Sequence, residues 1–156
     1  MCASDLLAGL VNGTPSWSGP PMDFTGFVTI TSDPARALVA IAAQTGATYS
    51  INLYDAGNAS LPVISTIALP ERPNALRFEG PRLWAIGNSR TAAWNVSNPT
   101  APQPLHNFAI GGSQLAPLGA LLVTTSGNVA TIYDLTNPQG PRSEERRVGK
   151  ECRSRW

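Results

Sequence analysis

A nine-residue pattern occurs three times in this chain, and its spacing constrains the fold more than any other feature. The copies span residues 54–62, 94–102 and 133–141, and their first residues are 40 and 39 positions apart. Each copy starts with an aromatic residue and then Asp or Asn, has Asn at its fifth position and ends on Pro. A fixed period of this length indicates an internal repeat. The repeat-turn residues are Tyr54, Asp55, Asn58 and Pro62; Trp94, Asn95, Asn98, Pro99 and Pro102; and Tyr133, Asp134, Asn137, Pro138 and Pro141.

The repeated pattern has the chemistry of a strand that ends in a tight turn. An Asn side chain can accept a hydrogen bond from the backbone two residues further on, which forms an Asx turn. The Pro after Asn98 and after Asn137 fixes φ and holds the preceding Asn extended, so the strand stops there. Asp55, Asn95 and Asp134 share one position, and we interpret them as turn residues, one in each repeat. The next strand is expected to begin beyond the closing Pro.

Short apolar runs recur around the three turns and predict about four strands in every forty residues. The predicted strands are 37–41, 49–54, 63–69, 74–78, 82–86, 91–96, 104–110, 120–125 and 129–133. Helix signals are confined to 5–11 and 33–36, each long enough for one turn. The predicted fold class is therefore all-β. It is a partial β-propeller of about three four-stranded antiparallel blades, each of about 40 residues, in an incomplete ring.

The third copy and the strand before it resemble the LVIVD repeat. In that family, a strand that ends in aliphatic-Val-Asp-Val-Ser-Asp/Asn-Pro closes each blade. Residues 130–138 read Ala-Thr-Ile-Tyr-Asp-Leu-Thr-Asn-Pro and follow the run Leu121-Leu-Val. Residues 93–99 match the pattern with Asn in place of its Asp, and residues 53–59 depart further because they lack the final Pro.

The resemblance covers roughly residues 27–141. It implies a β-propeller of a kind commonly found in exported or surface-attached bacterial and archaeal proteins. The LVIVD motif is structural, so the resemblance implies no catalytic residue.

The last fifteen residues, Arg142 to Trp156, resemble the translation of a common short-read sequencing-library adapter. We predict that residues 142–156 are a non-native tail and that the natural chain is interrupted near Pro141. The domain organisation is then an N-terminal segment, 1–26, interpreted as the end of a preceding blade, followed by the propeller repeats, 27–141, and the tail.

Removing the tail changes what the composition implies about partners. The tail holds six of the 11 basic and three of the 10 acidic residues, so the formal charge of the rest is −2 rather than +1. No clustered basic face remains, which argues against nucleic acid as a partner. The longest apolar run, residues 37–43, is far shorter than the roughly 20 residues that span a bilayer, so no membrane insertion is expected. Cys2 is left without Cys152, and neither a disulfide nor a zinc site is predicted.

Few residues have the chemistry of a catalytic or metal site. His106 is the only histidine, and without a nearby His, Cys or acidic cluster we expect it to be exposed on an outer strand. Calcium binding needs several oxygen ligands in one loop, and no such acidic loop is present. Trp84 and Trp94 are expected to pack in the core. The sequence therefore predicts no catalytic residue, no metal site and no cofactor.

Two functions remain open at this point. The first is part of a non-enzymatic propeller, exported or surface-associated, that binds an unidentified protein or carbohydrate. The alternative is the truncated propeller domain of an enzyme, a hydrolase or oxidoreductase, whose active-site residues lie in blades outside this chain. The first is favoured because an enzyme needs clustered His, Asp or Glu from several blades. Three blades cannot close a ring of about four to eight, so we also expect exposed blade faces and self-association.

Overall fold

The computed structural model describes residues 26–136 and 142–146, and this part of the chain forms twelve β-strands. Residues 1–25, residues 137–141 of the third turn and residues 147–156 of the predicted tail lie outside the described residues. The strands are β1 (Phe27–Asp33), β2 (Leu38–Thr45), β3 (Thr48–Asp55), β4 (Val63–Leu69), β5 (Pro73–Glu79), β6 (Arg82–Gly87), β7 (Thr91–Asn95), β8 (Gln103–Phe108), β9 (Gln114–Leu118), β10 (Leu121–Ser126), β11 (Val129–Asp134) and β12 (Arg142–Arg146).

The strands form three four-stranded antiparallel sheets, and each sheet is a meander of consecutive strands. The first sheet has the order β1-β2-β3-β4, the second β5-β6-β7-β8 and the third β9-β10-β11-β12. Strand β5 contacts both β1 and β9, so the first strands of the three sheets are neighbours. Within the described residues, the three sheets do not close into a ring. The predicted all-β fold of three antiparallel four-stranded units is confirmed.

Tight hairpins connect the second and third strands of each sheet. Gly46 and Gly127 occupy the β2–β3 and β10–β11 turns with φ of 61° and 56°, where a side chain would be strained. In the second sheet the hairpin is closed by a 2.7 Å hydrogen bond from Gly87 N to Arg90 O. Residues 87–90 and 126–128 therefore form the hairpin turns of the second and third sheets.

Between residues 27 and 134 the structure has two strands more than the sequence predicts. Strands β1 and β9 were not predicted, because β1 is rich in Thr and Ser and β9 is short and contains Pro117. The continuous apolar runs of β2 and β6 are the second strands of their sheets, and the first strands β1, β5 and β9 are the ones that neighbour one another. The helical signal at residues 33–36 corresponds to a single turn, in which Ala37 N donates to Pro34 O over 3.4 Å.

Strand β12 pairs with β11 in the position that β4 and β8 occupy in the other sheets. It lies in the segment that the sequence predicts to be a non-native tail. Antiparallel pairing is made by main-chain N–H and C=O groups, so many sequences fit an outer strand. The presence of β12 therefore does not bear on the origin of residues 142–146.

An apolar layer fills the space between the first and second sheets. The side chains of this layer are at most 8% exposed. They come from both sheets: Ala40, Ala42, Ile51, Leu53 and Ile67 from the first, and Leu76, Leu83, Ala85 and Val96 from the second. The layer is the largest buried cluster of the described residues, and it holds the two sheets face to face.

A second layer joins the second and third sheets. Trp84, Ile86 and Ala93 pack against Leu115 and Leu122, and all five are at most 3% exposed. Because side chains alternate along a strand, Leu83 faces the first sheet and Trp84 faces the third. This alternation explains why β6 is buried on both faces, as its continuous apolar sequence predicts.

Replacing Leu53 by Ala should lower the free energy of unfolding by about 2–5 kcal/mol, because it leaves a cavity in the layer between the first two sheets. Chemical denaturation followed by circular dichroism measures the change. The matched control is Leu105→Ala on β8, where the side chain is 43% exposed and the expected change is within about 0.5 kcal/mol. Equal effects of the two substitutions would contradict a stabilising role for this layer.

Candidate functional site

The three repeat turns share one hydrogen-bond pattern at the ends of β3, β7 and β11. At the second position of each copy, the side-chain oxygen of Asp or Asn accepts the backbone N–H two residues further on. The bonds run from Gly57 N to Asp55 Oδ1 (2.9 Å), from Ser97 N to Asn95 Oδ1 (2.9 Å) and from Thr136 N to Asp134 Oδ1 (2.8 Å). Each is an Asx turn, and Asp and Asn are interchangeable in it because only an acceptor oxygen is used.

A backbone hydrogen bond also repeats at the third position of each copy. The N–H of this residue donates to the carbonyl of the residue that precedes the second strand of the same sheet. The donor and acceptor pairs are Ala56 N and Ala37 O (2.7 Å), Val96 N and Pro81 O (2.7 Å), and Leu135 N and Ala120 O (2.8 Å). This bond ties each repeat turn to the loop beside it, so the two loops lie at the same end of the sheet.

The Asn at the fifth position forms a second Asx turn. Asn58 Oδ1 accepts from Ser60 N at 3.0 Å and from Ser60 Oγ at 2.8 Å. Asn98 Oδ1 accepts from Thr100 N at 3.2 Å and from Thr100 Oγ1 at 2.7 Å. Pro62 and Pro102 directly precede β4 and β8. The third copy's Asn137, Pro138 and Pro141 lie outside the described residues.

The aromatic residue of each copy has a packing role in the structure. Trp94 packs against the layer between the first and second sheets, and Tyr133 packs against the layer between the second and third. Tyr54 is buried with Val39, Ile41 and Leu61 on the face of the first sheet that is turned away from the second. Burial raises the pKa of Tyr54 above its ordinary value of 10.0, and a hydrogen bond with Asn52 opposes this rise. The structure places no two of these aromatic residues in one site.

Arg36 makes several polar contacts that bridge the first and second sheets. Its guanidinium donates to Val96 O at 2.9 Å and to Gly80 O at 2.6 Å. The same group forms an ion pair with Asp33 at 2.6 Å and lies 5.5 Å from the ring centroid of Phe78. The planar guanidinium is suited to several directed hydrogen bonds at once. No local sequence pattern marks this contact, because the partners are 44 and 60 residues away.

Glu79 makes the corresponding contact between the second and third sheets. One carboxylate oxygen accepts from Gly119 N at 2.6 Å, and the other accepts from Trp84 Nε1 at 3.2 Å. Arg82 lies 3.7 Å from the same carboxylate. The buried indole N–H of Trp84 thereby has an acceptor, which a buried Trp normally requires.

The exposed position expected for His106 is wrong. His106 is half-buried on β8, and its ring stacks with Trp84 at a centroid distance of 5.7 Å and with Phe108 at 5.3 Å. Ala93 lies on the intervening strand β7 and pairs with Trp84 on one side and with His106 on the other. Because its side chain is small, the two rings can meet above it. Burial lowers the pKa of His106, and the nearby positive charge of Arg82 lowers it further. The neutral, apolar form of the imidazole is therefore favoured in this stack.

A cleft lies between the first and second sheets, beside their apolar layer. Its volume is about 160 Å³. The connection from β4 to β5 forms one wall with Pro70 and Glu71, and the second sheet forms the other. The residues of the second sheet that line the cleft include Ala85, Ala92, Trp94, Asn107 and the hairpin residue Arg90. The cleft was not predicted, since the residues that line it come from separate parts of the chain.

Residues 26–136 and 142–146 contain no cluster of three or more His, Cys, Asp or Glu side chains that is arranged to hold a metal ion. In the same part of the chain, no helix has the length and hydrophobicity that a membrane crossing needs. Asp55 and Asp134, the two recurring carboxylates, each bind within their own turn.

The side-by-side meander sheets, with neighbouring first strands and apolar layers between them, define a partial β-propeller. Similar solved structures are Hsv2 β-propellers. Hsv2 from Kluyveromyces lactis has 13% identity and a TM-score of 0.55 over 78% of this chain and 37% of its own. A version with loop 6CD replaced by a Gly-Ser linker gives the same identity and TM-score over 40% of its chain. Hsv2 from Kluyveromyces marxianus has 10% identity and a TM-score of 0.54 over 79% of this chain.

This chain spans less than half the length of the Hsv2 chains that it matches. At this level of identity the likeness shows the fold alone. Neither a protein-family profile nor a curated protein matches the sequence.

Asp134→Asn should keep the third repeat turn at neutral pH and remove part of the acid sensitivity of the protein. Hydrogen bonds from the Thr136 hydroxyl and backbone lower the pKa of Asp134 below its ordinary 3.8. The stability from this carboxylate is therefore present above the ordinary pKa and is lost as the pH falls through the lowered one. Thermal melts at a series of acidic pH values measure this. Asn95→Asp is the reciprocal control and should add acid sensitivity. Unchanged pH profiles in both variants would contradict a stabilising role for the Asp134 carboxylate in its turn.

His106 should titrate below 6.5 in the folded protein, and Arg82→Gln should raise its pKa towards that value, because Arg82 contributes to the lowered pKa. The contribution of His106 to stability should be complete above pH 6.5, and it should decline as the pH falls through the pKa of His106 in the folded protein. The imidazole C–H signals in a proton NMR titration give the pKa of His106 directly, since the chain has one His. Arg72→Gln is the control and should leave the midpoint unchanged. A midpoint at or above 6.5 in the wild type would disprove the stacked, desolvated position.

Proposed function

We propose that this chain is part of a non-enzymatic β-propeller that acts as an interaction module and binds a protein or a carbohydrate. An exported or surface-associated setting is supported by the resemblance of residues 93–99 and 130–138 to the LVIVD repeat. The observation that carries the proposal is an exposed apolar face on the third sheet. We call this the outer face; its cross-strand rows are Leu118, Leu121 and Asp134; Ala116, Val123 and Ile132; and Gln114, Thr125 and Ala130.

The outer face corresponds to surfaces that are buried in the other two sheets. The repeat places Leu53 of the first sheet and Ala93 of the second at the position of Ile132. Leu53 and Ala93 are both 0% exposed, because each packs against the next sheet. On the outer face, Leu118 is 62% exposed and Leu121 is 41% exposed. A contiguous apolar surface of this kind is typical of a surface that binds another protein.

We further propose that, in the purified chain, a second copy occupies the outer face. Two copies of one apolar sheet face can pack against each other about a two-fold axis, as in an isologous dimer. Sheet-on-sheet packing of this kind continues the arrangement that already joins the three sheets. The self-association expected from the sequence would follow from this contact.

The double variant Leu118→Gln/Leu121→Gln should abolish this association, because it removes apolar area from the contact without adding charge beside Glu79 or Asp134. Gel filtration with light scattering should give a mass above the 16.4 kDa of one chain for the wild type and about one chain for the variant. The matched control, Val63→Gln/Leu105→Gln, replaces residues of similar exposure on outer strands and should remain associated. A monomeric wild type over the full concentration range would disprove the contact.

A further inference from the structure

The cleft between the first and second sheets has the size of a site for one small ring. Its volume of about 160 Å³ is close to that of engineered cavities of about 150 Å³ that hold a benzene molecule. It is smaller than the roughly 300–1,000 Å³ of sites for drug-sized ligands. A ligand in this cleft is therefore a single ring, or the end unit of a larger molecule.

Small residues on one row of the second sheet create the space. Ala85 pairs with Ala92, and Ala92 pairs with Asn107, so the three side chains lie side by side on the face towards the first sheet. The two Ala side chains are short, and the larger Trp94 lines the cleft beside them. An indole ring offers a broad apolar surface with a partial negative charge on its face, which attracts polarised C–H groups.

Two polar side chains at the cleft are available to a ligand. Arg90 offers five N–H donors, and Asn107 offers two donors and one acceptor. In the described part of the chain, no hydrogen bond or ion pair engages either side chain. Both can therefore donate to oxygen atoms of a ligand without breaking an existing contact.

Glu71 has a structural role at the same cleft. Its Oε1 accepts from Ser89 N at 3.1 Å and from Arg90 N at 2.7 Å, and its Oε2 accepts from Ser89 Oγ at 2.8 Å. These bonds use most of the acceptor capacity of the carboxylate. Its negative charge still offsets the positive charge of Arg90, so the lining is neutral overall and does not favour a free anion.

We propose that this cleft binds one neutral sugar ring, such as the terminal pyranose of a glycan. The C–H groups of the ring would lie on Trp94, and its hydroxyl oxygens would accept from Arg90 and Asn107. The proposal rests on the proposed interaction function and specifies its ligand as carbohydrate. It concerns a different surface from the outer face of the third sheet, so the two proposals can fail separately.

The test is saturation-transfer NMR of the 156-residue chain with methyl glycosides of glucose, galactose and mannose as probes. At least one glycoside should bind with a dissociation constant on the order of 1–10 mM, as expected for one ring and a few hydrogen bonds. Arg90→Gln should weaken binding by roughly fivefold to tenfold, because it removes charged hydrogen-bond donors from the cleft. The matched control is Arg72→Gln, which changes an exposed Arg on the connection from β4 to β5 that does not line the cleft.

Two further measurements complete the experiment. Ala92→Leu, checked for folding by circular dichroism, should abolish binding because its side chain fills the floor of the cleft. Benzoate, an anionic ring of similar size, should bind more weakly than the glycoside. Tighter binding of benzoate, equal affinity in Arg90→Gln and Arg72→Gln, or no binding of any glycoside would overturn the proposal. Glycoside binding that persists in Leu118→Gln/Leu121→Gln would show that the cleft works independently of association.

Discussion

Face-to-face packing of neighbouring sheets is the interaction on which the rest of this structure depends. An isolated four-stranded sheet of this size leaves apolar side chains in water on both faces, and β2 and β6 are apolar on both. Two layers of buried side chains solve this problem for the faces between the sheets. Trp94 and Tyr133 lie on the faces towards the preceding sheet, and Tyr54 is buried on the face of the first sheet that is turned away from the second. Each aromatic residue therefore contributes to packing as well as to a turn. Arg36 and Glu79 then add directed polar contacts across the two boundaries.

The features that sequence reasoning identified are those encoded over a few neighbouring residues. The turns at 54–62 and 94–102 could be recognised because an Asx turn needs an acceptor oxygen and a donor two positions later. The buried strands β2 and β6 could be recognised because they are continuous apolar runs. Strand β9 gives no such signal, since it is five residues long and includes Pro117. Its position depends on pairing with β10 and packing against the second sheet.

The contacts that sequence reasoning missed join residues that are distant in the chain or depend on size differences across strands. Arg36 reaches a carbonyl 60 residues away, and no local pattern marks it among the five Arg residues outside the tail. The stack of His106 on Trp84 depends on the small Ala93 between them. The cleft similarly depends on two Ala residues that meet only when β6 and β7 pair. In each case the decisive information is the register of pairing, which the sequence specifies only through the whole sheet.

The meander order within each sheet has a consequence for how the molecule reaches this structure. Every strand pair is made between consecutive strands, so each sheet can assemble from contacts that are local in sequence, and local contacts favour fast folding. The sheets couple only to their immediate neighbours, which gives the energetics of a one-dimensional array. In such an array the middle unit is held from two sides and the end units from one. The second sheet should therefore be the last to lose its amide protection from hydrogen exchange, and fraying should begin at the ends of the stack.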